Sequence, residues 1–102
     1  MSGRKKKKAP YKIEVGPFTF TVQETADLPI ENAVGVLDPL AHAIYVRPDL
    51  SAELAAVTKL HEYIHAVEAS FGLEGLSEQT VDTLAAGLTQ ILLGRGFDPR
   101  DF

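Results

Sequence analysis

His61-Glu62-Tyr63-Ile64-His65 reads H-E-x-x-H, which on a helix stacks two imidazoles one turn apart on the same face. Such a pair can hold one zinc ion, and the glutamate, rotated by about 100° from the first histidine, points to the space beside the metal. A carboxylate there can take a proton from a water. The chemistry implied is metal-assisted hydrolysis.

Two histidines make an incomplete catalytic zinc site, which normally has three protein ligands and one open position. The extended motif that ends in a third histidine is excluded, because Glu68 stands where its glycine would be and Phe71 where its last histidine would be. The chain has no cysteine, so the remaining donors are carboxylates, with Glu68, Glu74 and Glu78 as candidates. Glu68 shares the face of the histidines, but side chains at i, i+4 and i+7 of one straight helix close poorly on a tetrahedral ion. Glu78 is better placed. If the short connection around Gly72 and Gly75 folds two helices into an antiparallel hairpin, the register that sets Glu78 opposite His65 also sets Asp82 opposite His61. Asp82 can then accept the ring N–H of His61 that is not used on the metal.

The elements that must carry these residues are legible in the hydrophobic pattern. Residues 11 to 23 alternate around Ile13, Val15, Phe18, Phe20 and Val22, with Gly16-Pro17 as punctuation, and predict a strand or bulged strand pair with one buried face. Residues 24 to 33 read as a loop. The apolar runs 34 to 37 and 42 to 46 flank Asp38-Pro39 and predict a hairpin, with Pro48 favouring an edge position for the second strand. From Ser51, a helix N-cap, a helix runs to about Phe71 and stops at Gly72, its core stripe being Leu54, Val57, Leu60, Ile64, Val67 and Phe71. A second helix spans Ser77 to Gly94, with Val81, Leu84, Ala85, Leu88, Ile91 and Leu92 on its apolar face. Residues 95 to 102 read as a tail that can tuck Phe97 or Phe102 against the body. His42 is expected to be an ordinary strand residue rather than an oxyanion donor, and Tyr45 and Tyr63 packing residues.

A length of 102 residues bounds the chain to one modest core, here assigned to residues 11 to 94. Charge divides unevenly: Arg4 and Lys5 to Lys8 hold five of the ten basic residues, so the rest of the chain sets five Lys/Arg against 14 Asp/Glu, a formal charge of −9. Residues 1 to 10 are therefore read as a basic, disordered tail, with nucleic-acid contact a minor alternative. No apolar stretch follows the basic run, which argues against a secretory signal and for a cytoplasmic protein without a membrane span.

With these motifs in hand, the chain resembles the gluzincin metallopeptidases, most closely the small ImmA/IrrE-like and phage-encoded minimal zincins. The likeness spans roughly residues 34 to 92. It rests on the hairpin leading into the helix, on His61-Glu62-x-x-His65, and on Glu78 followed by Asp82, Leu84 and Ala85. The family's frequent H-E-L-G-H is H-E-Y-I-H here, and only 12 residues separate His65 from Glu78. The resemblance implies an α+β fold in which a small, mostly antiparallel sheet packs on an antiparallel helix hairpin. It also implies one zinc ion per chain on His61, His65 and Glu78, with Asp82 behind His61 and Glu62 as general base. The expected activity is peptide-bond hydrolysis, with a polypeptide substrate extended along the edge strand at 42 to 46. The competing expectation is a metal-binding regulator or adaptor that keeps the site without cleaving.

Overall fold

The computed structural model describes residues 9–73 and 75–102; most of the basic tail, residues 1–8, and the candidate ligand Glu74 lie outside the described residues. Strands β1 (Tyr11–Val15) and β2 (Phe18–Glu24) form an antiparallel hairpin. Its two-residue turn needs one left-handed position, which Gly16 supplies at φ 58°, while the ring of Pro17 fixes the next φ. The alternation does what it predicts: Phe20 and Val22 are 1% exposed, and their cross-strand partners Ile13 and Tyr11 pack against the same core.

Strands β3 (Gly35–Asp38) and β4 (Ala43–Val46) form the second hairpin, and β4 then pairs in parallel with β2, giving the sheet order β1-β2-β4-β3. The sheet is thus mixed, with two antiparallel pairings and one parallel. This places β4 inside the sheet and corrects the expectation that residues 42 to 46 form an edge. Pro48 stands two residues past the end of β4, where its missing N–H removes no ladder bond. Ile44 and Val46 are fully buried and Ala43 nearly so, a run buried on both faces as an interior strand requires. The edge on this side is β3.

Helix α1 (Ala52–Phe71) begins at Ser51, whose hydroxyl accepts from the Leu54 N–H at 3.2 Å, and ends at Gly72, left-handed at φ 69°. Its buried residues are Ala56, Thr58, Lys59, Glu62 and Ala66. The predicted stripe lies elsewhere: Leu54, Val67 and Phe71 are exposed, and Val57, Leu60 and Ile64 are half-buried. The reason is the closeness of α1 to β3. A Cβ added to Gly35 would sit 2.5 Å from Thr58 Cγ2 and 3.5 Å from the Glu62 side chain, so this helix face must be built from small or extended side chains.

Helix α2 (Glu78–Gly94) starts at Ser77, whose hydroxyl accepts from the Thr80 N–H, and packs back along α1 as a helix hairpin. Val81, Ala85 and Thr89 are its buried residues, while Leu84, Leu88 and Ile91 stay open. After α2 the chain makes a short 3₁₀ turn at Pro99–Asp101. Phe102 then reaches the body, its carbonyl accepting from Tyr11 Oη at 3.0 Å and from Lys59 Nζ at 3.4 Å, whereas Phe97 remains exposed. No helix among the described residues is long and apolar enough to cross a membrane.

Candidate metal centre

Helix α1 presents His61 and His65 on the side that meets α2, with Nε2 atoms 3.2 Å apart. Across the hairpin, Glu78 in the first turn of α2 spans both rings: its Oε1 is 3.3 Å from His61 Nε2 and its Oε2 is 3.0 Å from His65 Nε2. Three ligand atoms, one from each residue, fall within 4.8 Å of one another. Tetrahedral zinc with bonds near 2.0–2.1 Å keeps its ligand atoms about 3.3 Å apart, a spacing that the two Nε2 atoms already approach and that the Glu78 carboxylate is close enough to complete.

The far nitrogens of both rings are also occupied. His61 Nδ1 lies 2.8 Å from Asp82 Oδ1, one turn beyond Glu78 on α2, and His65 Nδ1 lies 2.7 Å from Glu68 Oε1 on α1 itself. A carboxylate only accepts, so a ring nitrogen that faces one donates when it carries a proton. A ring whose single proton sits on Nδ1 turns its Nε2 lone pair toward Glu78 and the other ring, an arrangement that a cation between them would satisfy and that a second proton on Nε2 would satisfy as well.

Glu62 lies between the histidines and β3, its side chain against the Gly35 position, and is 6% exposed. Burial pushes its carboxyl above the usual range; His61 and then His65 oppose the rise, and Glu78 adds to it. Its neighbour Tyr63 packs into the core boundary and shares a 2.6 Å hydrogen bond with Tyr11, with burial and this bond raising its hydroxyl pKa.

A cleft of about 540 Å³ opens at the histidines, lined by Gly35, Val36 and Leu37 of β3 together with Glu62, Glu68 and Glu78. Ile30, Pro39 and Leu73 add apolar lining. A larger groove of about 780 Å³ lies around Arg47, Lys59 and Arg100, and no histidine lines it.

His61, His65, Glu78 and Asp82 are therefore brought together as the helix register predicts, with Glu62 alongside. His42 is not brought to them; at φ 50° it lies against the rings of Phe18 and Phe20, with centroids 5.0 and 5.2 Å away. Sequence reasoning weighed Glu68 as a ligand and missed it as the partner of His65, although the i, i+3 spacing carries that signal. It also missed Gly35, whose tight approach to α1 has no signature in a single sequence.

No protein-family model matches the chain, and no curated protein or solved structure matches it. What the chain has in hand is a small α+β fold and a His-His-Glu cluster whose spacing suits a metal ion.

Proposed function

We propose that this protein is a zinc-dependent metallopeptidase. The observation that carries the proposal is the meeting of His61 Nε2, His65 Nε2 and the Glu78 carboxylate at about 3 Å, each imidazole backed by a second carboxylate on its Nδ1. Held by His61, His65 and Glu78, a zinc ion would supply an acidified water and a Lewis acid for a carbonyl oxygen. Glu62 is the base: its ionised carboxylate takes a proton from the attacking water and delivers it to the leaving nitrogen as the C–N bond breaks. Its raised pKa suits both halves of that transfer, since the protonated form must persist long enough to donate.

Substrate lies along β3 rather than along residues 42 to 46. Strand β3 pairs on one side only, with β4, and its Gly35, Val36 and Leu37 wall the cleft beside Glu62 and His65. An extended peptide can add to such an edge through its backbone.

The test compares wild type with Glu62→Gln for zinc content and for cleavage of a broad peptide library. Zinc retained by both, with cleavage only by wild type, is the expected result. Equal cleavage by the two excludes Glu62 as base. A variant that keeps zinc and performs the cellular role in full moves the reading to a regulator or adaptor.

A further inference from the structure

Glu68 is sheltered in a way the other carboxylate partners of the imidazoles are not: its side chain is 15% exposed, against 70% for Glu78 and 68% for Asp82. Its Oε1 meets His65 at Nδ1, while Nε2, on the opposite edge of that ring, faces Glu78 and His61. At that position Glu68 cannot share an ion with the two Nε2 atoms. Helix energetics does not account for it either. Glu68 lies three residues from the end of α1, where a negative charge meets the negative end of the helix dipole, with no basic residue in the last turn to offset it.

We propose that Glu68 is a positioning residue that holds the neutral His65 ring with its proton on Nδ1, so that the Nε2 lone pair is aimed between His61 and Glu78. A neutral imidazole in water favours the opposite tautomer, with the proton on Nε2, which would leave His65 unable to bind a cation there. The carboxylate reverses that preference and fixes the tilt of the ring. Because Glu68 and His65 share one helix, His65 is set without help from α2, whereas His61 depends on Asp82 from across the hairpin. The inference rests on the metal reading of the cluster, but its first test needs no metal.

Two-bond ¹H–¹⁵N correlation spectra of the ring nitrogens, recorded on the chelator-treated full chain above the ordinary titration range of imidazole, read the tautomer directly. Wild type should show His65 protonated on Nδ1. Glu68→Gln should keep that tautomer, since its amide oxygen still accepts, and Glu68→Ala should shift His65 toward the Nε2–H form. A wild-type His65 carrying its proton on Nε2, or an alanine variant with an unchanged spectrum, overturns the proposal. Calorimetric zinc titration of the same three proteins gives an independent readout: affinity should fall roughly 10- to 100-fold in Glu68→Ala and less in Glu68→Gln. Equal affinities in all three would also overturn it. The expected tautomers in a chain that takes up no zinc would leave the role of Glu68 standing and remove the metallopeptidase reading.

Discussion

In the proposed metal centre each side chain around the cluster has a separable job, and single substitutions should separate them. Glu78→Ala removes an oxygen donor from the centre and should weaken zinc binding far more than Asp82→Ala, which removes only the partner of His61 Nδ1 and should cost roughly 10- to 100-fold. Calorimetry on both variants checks the order, and a reversed order would reassign the ligand. Glu62 yields a stability prediction with a definite sign. Its pKa in the fold is raised above the ordinary 4.5, so its protonated form is favoured by folding; that stabilisation is complete below 4.5 and is lost as pH rises through the raised value. In metal-free protein, Glu62→Gln should therefore melt above wild type at neutral pH, with the gap closing as pH falls toward 4.5. Thermal melts across that range measure it, and a variant less stable than wild type at neutral pH would show that the buried carboxylate is better accommodated than its desolvation implies. At this scale the meeting of His61 and His65 with Glu78 and Asp82 was legible because helix periodicity fixes which side chains share a face and the hairpin register fixes which face each other. The pairing of Glu68 with His65 was obscured, because the same spacing also suited a ligand.

The elements were legible where local chemistry decides and obscure where long-range pairing does. Ser51 and Gly72 bound α1 as their types require, and Gly16-Pro17 makes the first turn. The parallel pairing of β2 with β4 joins strands separated by a whole loop and leaves no local mark, so the edge was assigned to β4 instead of β3. The face of α1 was misjudged for a related reason: apolar size marks a core stripe only when the neighbour leaves room, and β3 does not. Gly35→Ala should test this contact. Its methyl would meet Thr58 Cγ2 at 2.5 Å, a small-to-large insertion expected to cost about 1–3 kcal/mol. Thr58→Ser deletes the opposing methyl and should recover part of that loss in the double variant, as a denaturation cycle would reveal. Strict additivity of the two substitutions would show that the contact is not the source of strain.

For the molecule as a whole, the cluster bears on how α2 is held. The core of Phe20, Val22, Ile44, Val46 and Ala66 belongs to the sheet and α1, while the fully buried residues of α2 are Val81, Ala85 and Thr89, and Glu78 and Asp82 reach His61 and His65 of α1. An ion shared between His61, His65 and Glu78 would bind the two helices together and stabilise the folded chain by about 2.7 kcal/mol at a free concentration 100-fold above its dissociation constant. Zinc should thus raise the melting temperature and slow hydrogen exchange in Glu78–Gly94 more than in the sheet, and a chelator should reverse both. Uniform protection across the molecule would argue against a local tie between the helices. The α+β class itself was readable from alternating strands followed by two amphipathic helices.

Whether His61, His65 and Glu78 together hold one zinc ion is decided by calorimetric titration of chelator-stripped wild type, with His65→Ala and Glu78→Ala alongside. One site per chain is expected in wild type, with its loss in His65→Ala and a severe weakening in Glu78→Ala. Wild type that takes up no zinc, or a His65→Ala variant that binds as tightly and with the same stoichiometry, would rule out this ligand set.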